Sequence, residues 1–287
     1  MTIDQQLAEW WLTNLETSAR FDAPWVADAV AWLIDTSGRP EGSARPRRVL
    51  DVGCGAGGAA CAFARALGPG VVAGFDRDPR LLAIARRRAT DAGLAGQILG
   101  WLSAGVDALP VEAASADLVW ASGVVHHLPD QQAAIGTLAA LLRPGGRLAL
   151  VEGGLPLRCL PFDIGLGRVG LEARLDEARS RWFADMREEL GGPSLPYGWP
   201  EALRRAGLAH VRARSFLAEV APPFDDLGRQ VAERHLSSAL SELGDRLAPD
   251  DRDTIARLLD PDDAAYIGRR DDLMITAVRT LNVGTVV

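Results

Sequence analysis

Three glycines at alternate positions, Gly53, Gly55 and Gly57, stand between a short apolar run and an Ala-rich one. Val49, Leu50 and Val52 before them read as a strand buried on both faces. Residues 59–67 after them read as a helix. A strand that turns through glycines into a helix is a ligand-binding device, because backbone without Cβ atoms lets a ligand approach closely. The helix start also presents amide N–H groups with no partner inside the helix. The spacing Gly53-x-Gly55-x-x-Gly58 fits a dinucleotide fingerprint as well. So does Asp76, at the end of a second apolar run, where a carboxylate would accept from ribose hydroxyls. Asp51 speaks against that reading, since it sits inside the first strand, where nucleotide-phosphate folds usually keep an apolar residue.

Three later blocks agree with this start in order and spacing. They are residues 74–79 (Gly-Phe-Asp-Arg-Asp-Pro), residues 117–120 leading into Val125-His126-His127-Leu128-Pro129-Asp130, and residues 142–148 (Leu-Arg-Pro-Gly-Gly-Arg-Leu). As a set, spanning roughly 48–152, they resemble the class I S-adenosylmethionine-dependent methyltransferases. The resemblance implies an α/β fold, a doubly wound, mostly parallel seven-stranded sheet of the Rossmann-like kind with an inserted helical cap. It implies S-adenosylmethionine as cofactor and S-adenosylhomocysteine as product. Gly53, Gly55 and Gly57 would surround the methionyl portion, Asp51 would fix its ammonium directly or through water, and Asp76 would take the ribose hydroxyls. Arg77, Ala104, Gly105 and Ala121 complete the expected cofactor contacts. One departure stands out: where the family usually carries an adenine-binding Asp, this chain has Gly105. Either Asp107 substitutes, or backbone around Ala104 and Gly105 recognises adenine.

Methyl transfer from a sulfonium needs alignment and exclusion of water more than covalent help. His126 and His127 follow the fourth strand, near where the family holds the transferable methyl. A neutral histidine there suits proton removal from a hydroxyl or amine, with Glu152 placed to orient the ring. The competing reading is that the pair packs and caps the next helix. The expected function is transfer to a hydroxyl, amine or carbon nucleophile of a small organic acceptor, in secondary metabolism. The alternatives are a non-methyl reaction such as cyclisation with the same cofactor, and an NAD-linked oxidoreductase.

Along the chain, two helices are expected at 3–18 and 22–35, with Asp22 as N-cap and Pro24 in the first turn. Trp10, Trp11, Trp25 and Trp32 read as anchors that pack this arm onto the sheet, or alternatively as part of a lid. Residues 1–47 thus form an arm and linker, and 48–152 the cofactor-binding core. In that core, strands at 48–52, 71–75, 97–102, 117–121 and 147–152 alternate with helices. The helix at 130–142 is stopped by Pro144-Gly145-Gly146. Residues 153–287 complete the sheet with strands near 210–220 and 273–279, the last one antiparallel by resemblance. Segments 155–190 and 225–265 form the cap, closing over the acceptor.

Net charge of −7 and a pI of about 5.2 argue against a nucleic-acid surface. All 31 basic residues are arginine, which removes lysine Schiff-base chemistry. No apolar run approaches a membrane span, so a cytoplasmic location and no membrane partner are expected. Cys54, Cys61 and Cys159 lack metal-ligand spacing, as do His210 and His235, and no metal is expected. Oligomeric state is not legible.

Overall fold

The structure, a computed structural model, describes residues 3–35 and 45–287, with side chains from residue 15 onward. Trp10 and Trp11 therefore lie outside the described side chains. The N-terminal segment is one helix, α1 (Ile3–Ile34), rather than two, and Pro24 lies inside it. A proline removes one amide donor but leaves its carbonyl able to accept. The buried stripe of Phe21, Trp25, Val26, Ala29, Val30 and Leu33 runs through the proline and keeps the register.

Seven strands follow in the chain: β1 (Arg48–Val52), β2 (Val71–Asp76), β3 (Ile98–Ser103), β4 (Ala116–Ser122), β5 (Leu142–Arg158), β6 (Ala209–Val220) and β7 (Ile275–Thr285). Their order in the sheet is β3-β2-β1-β4-β5-β7-β6. The first five pair in parallel. β7 runs antiparallel to β5, because Val286 exchanges backbone hydrogen bonds with Gly145 and Gly146. That exchange corrects the expected role of Pro144-Gly145-Gly146. The helix before it, α4 (Gln131–Ala140), has already ended, and the two glycines belong to β5 instead.

Compactness divides the chain into two interleaved units. The larger holds residues 23–153, 192–216 and 279–287, where the sequence reading cuts at 47 and 152. Its helices are α2 (Gly58–Leu67), α3 (Pro79–Asp91), α4, α6 (Trp199–Arg205) and the C-terminal part of α1 from Ala23 onward. Trp120 of β4, fully buried, stacks on Trp25 with ring centroids 6.4 Å apart and meets Phe63 edge-on at 5.6 Å. These contacts place Trp25 as a packing residue. The other unit runs through Asp22, 154–191 and 217–278. It contains α5 (Leu171–Leu190), α7 (Asp226–Leu243) and α8 (Pro249–Leu259). The expected helical span 155–190 begins as the end of β5, and becomes helical only at Leu171.

Candidate active site

β1, β2 and β4 end side by side, and the sheet order reverses between β1 and β4. Open α/β sheets bind ligands at such a switch point. A cavity of about 230 Å³ opens there, lined by Val52, Gly53, Asp76, Arg77, Ala104–Asp107, Gly123, Val124, His127 and Leu128. It brings together Gly53, Asp76, Arg77, Ala104, Gly105 and His127 from the sequence-expected set. Asp51, Gly55, Gly57, Ala121, His126 and Glu152 do not line it.

The three glycines have different jobs. All have positive φ, at 69° for Gly53, 52° for Gly55 and 75° for Gly57. A Cβ on Gly53 would collide with Val124 Cγ2, so the wall of the cavity closes only over a glycine. Gly55 donates its N–H to Asp76 Oδ2 at 2.9 Å, while Asp78 N–H donates to Asp76 Oδ1 at 3.0 Å. These two amides fix the carboxylate with lone pairs still available. Gly57 precedes α2, and a Cβ there would stand 2.7 Å from the Trp101 indole. Ala121, fully buried in β4 opposite Val52, is core.

Asp51 is 2% exposed, and its Oδ2 has no hydrogen-bond partner among the described residues. Burial pushes its pKa up to about 7; an Ala60 N–H hydrogen bond opposes the rise and the Asp76 charge adds to it. A buried carboxylate oxygen without a donor, beside a left-handed glycine loop, suits a cationic ammonium group. Burial also pushes the neighbouring Cys54 thiol far up, which leaves it inert.

On the opposite wall, Asp107 folds over Gly105: a Cβ on Gly105 would lie 2.6 Å from Asp107 Oδ1. Gly105 leaves the space that the Asp107 carboxylate occupies at the cavity wall.

Glu152, buried at the end of the parallel part of β5, organises the turn after β4. Its Oε1 accepts from Val124 N–H at 3.0 Å and Val125 N–H at 2.7 Å, and its Oε2 lies 2.7 Å from His126 Nδ1. The His126 and His127 rings sit 3.9 Å apart, tilted by 44°. Burial of part of the His127 ring, with His126 and Arg77 nearby, holds its pKa below the ordinary histidine value, against the pull of Glu152. His127 is therefore neutral at pH 7. Gly123, Val124 and Leu128 were not expected in the lining. Their only sequence signal is adjacency to the His pair.

Residues 50–150 match the model of a family described as a methyltransferase domain. Those residues, about a third of the chain, carry a methyltransferase domain, in line with the resemblance to the class I S-adenosylmethionine-dependent methyltransferases. The dinucleotide reading of the glycine spacing falls with that match. The chain is 29% identical to Methyltransferase GfsG of Streptomyces halstedii over 69% of this chain and 68% of that one. It is 31% identical to a tRNA U34 carboxymethyltransferase of Methylococcus capsulatus over 80% of this chain, spanning 62% of that relative. With a 27-O-demethylrifamycin SV methyltransferase of Amycolatopsis mediterranei it shares 38% identity over 46% of this chain and 44% of the relative. The chain thus spans about two thirds of the length of the first two relatives, and less than half of the third. A structure of an O-methyltransferase family protein from Burkholderia thailandensis superimposes with a TM-score of 0.50 at 19% identity, covering 93% of this chain and 57% of that one. That likeness concerns the fold. Among the described residues, no helix is long and apolar enough to cross a membrane.

Proposed function

We propose that this methyltransferase moves the methyl group of S-adenosylmethionine to a hydroxyl, amine or carbon nucleophile of a small organic acceptor. The observation that carries the reading is the cavity in which Asp76, Asp107 and a neutral His127 face one space at the strand ends. Bound there, S-adenosylmethionine supplies a methyl carbon already activated by a sulfonium. Asp76 would hold ribose hydroxyls, Asp51 and Gly53 the methionyl end, and residues 104–107 adenine. His127 would accept the acceptor's proton, with His126 held beside it by Glu152. Gly55 and Gly57 would act through Asp76 and through the start of α2.

Acceptor choice is assigned to residues outside 50–150, with segments 155–190 and 225–265 as the cap. The rifamycin methyltransferase, by its name, modifies a small natural product, and an acceptor of that class in secondary metabolism is proposed here. The tRNA carboxymethyltransferase acts, by its name, on a nucleic acid; a net charge of −7 disfavours such a partner for this chain. A cytoplasmic location without a membrane partner is part of the same proposal.

The test is S-adenosylhomocysteine formation from S-adenosylmethionine across hydroxylated and aminated natural-product acceptors, with bulk tRNA as a further arm. Turnover with a small acceptor is expected; turnover with tRNA alone, or cyclisation without S-adenosylhomocysteine product, overturns the reading. His127→Ala should lower kcat by about 10²-fold or more. Because His127 titrates below the usual histidine range, the wild-type rate should fall only as pH drops through that low value. An identical pH profile in the variant removes His127 as the base.

A further inference from the structure

Outside the cofactor cavity, three buried side chains from distant parts of the sequence converge in the smaller unit. Cys159 follows β5, Glu172 stands in the first turn of α5, and His235 lies on α7. They are 2%, 5% and 7% exposed. One potential ligand atom from each, the Cys159 Sγ, a Glu172 carboxylate oxygen and a His235 ring nitrogen, lies within 4.8 Å of the other two. We propose that these residues form a zinc site that ties the chain after β5, the start of α5 and the middle of α7 together.

The donor set is the first argument. Thiolate, imidazole and carboxylate are the groups zinc takes, at about 2.3, 2.0–2.1 and 2.0–2.2 Å. Donors at those distances around a tetrahedral ion lie on the order of 3–4 Å apart, within reach of the observed cluster. His235 Nε2 and Glu172 Oε2 are already 3.1 Å apart.

The second argument is orientation. Glu172 Oε1 accepts from Cys159 N–H at 2.8 Å and Leu160 N–H at 3.1 Å. Those bonds turn Oε2 toward His235 and hold the cysteine beside the carboxylate. Supporting hydrogen bonds that aim a ligand are a regular part of metal sites.

The third is charge. A thiolate and a carboxylate cancel a divalent cation, which leaves a neutral buried cluster. On zinc binding the Cys159 S–H proton leaves to solvent as the S–Zn bond forms, with no change of oxidation state. Three protein ligands leave a fourth position for water. The separations of 13 and 63 residues explain why no ligand spacing shows in the sequence, from which no metal is expected.

The full-length chain, stripped with a chelator and desalted, is titrated with Zn²⁺ and separately with Co²⁺. One zinc per chain, a higher melting temperature with zinc, and a thiolate-to-cobalt charge-transfer band in the near ultraviolet are expected. Cys159→Ser and His235→Ala should lose the band and the zinc-dependent shift. Should either variant fold poorly, the wild-type spectrum and melting shift decide alone. No zinc uptake by the wild type, no shift, or cobalt bound without a thiolate band overturns the proposal.

Discussion

Asp51 shows how one atom can link stability to ligand binding. In the unfolded chain its carboxyl titrates near the ordinary 3.8, whereas in the folded apo protein it titrates near about 7. Between those values the folded state keeps a proton that the unfolded state has lost, so stability falls as pH rises through this window. Above about 7 the full cost, on the order of a few kcal/mol, is present. Asp51→Asn should therefore raise apo stability at pH 8 and flatten its decline between pH 4 and 7, read by urea unfolding. The same variant should bind S-adenosylmethionine more weakly at pH 8, because a neutral amide cannot neutralise an ammonium group. A variant less stable than wild type at pH 8 would show that Asp51 Oδ2 has a buried donor after all. Asp76, which lines the cavity, stood out in the sequence because it ends the strand that follows the glycine loop and its helix. Gly123 and Val124 did not, since a lining role at those positions depends on how the turn after β4 is folded by Glu152, a residue 28 positions from Val124.

The element that concentrates this dependence is the loop from β1 to α2. Gly53 and Gly55 share positive φ, but only Gly53 faces a side chain, Val124, where a Cβ would stand; around Gly55 there is open space within 4 Å. Gly55→Ala should cost only the left-handed backbone penalty, roughly 1–2 kcal/mol. Gly53→Ala adds a collision with a wall whose backbone Glu152 already fixes, and should cost at least about 1 kcal/mol more and close the cavity. Equal unfolding free energies for the two variants would mean that Val124 moves aside freely. Other elements were read less well from sequence, each for a local reason. Asp22 followed by Pro24 looks like a helix start, but the apolar stripe continuing from Phe21 to Leu33 outweighs one missing amide. Pro144-Gly145-Gly146 looks like a helix stop, and only pairing with Val286, 141 positions after Gly145, makes it strand. The start of α3, by contrast, rests on a wholly local signal, Asp78 followed by Pro79: Asp78 Oδ1 accepts from Arg80 N–H at 2.8 Å.

For the whole molecule, ligands provide the way to test the assignment of roles, because each stabilises the segments that hold it. A ligand at a hundredfold its Kd adds about 2.7 kcal/mol to the folded state. S-adenosylhomocysteine should therefore raise the melting temperature and slow amide exchange at residues 51–58, 74–78, 103–109 and 123–128, where the cavity and its glycine loop lie. Zinc should slow exchange instead around Cys159, the first turn of α5 and the middle of α7. The cap assignment makes a third demand. Adding a turnover-competent acceptor to the S-adenosylhomocysteine-loaded protein should bring further protection within 155–190 or 225–265, beyond anything cofactor product alone produces. These segments lie outside the matched residues 50–150, so nothing about the cofactor chemistry requires them to respond. A response there would thus report acceptor selection itself. If exchange in both segments is the same with and without acceptor, while the 123–128 turn alone changes, selection belongs to the loops of the cofactor half and the cap assignment fails.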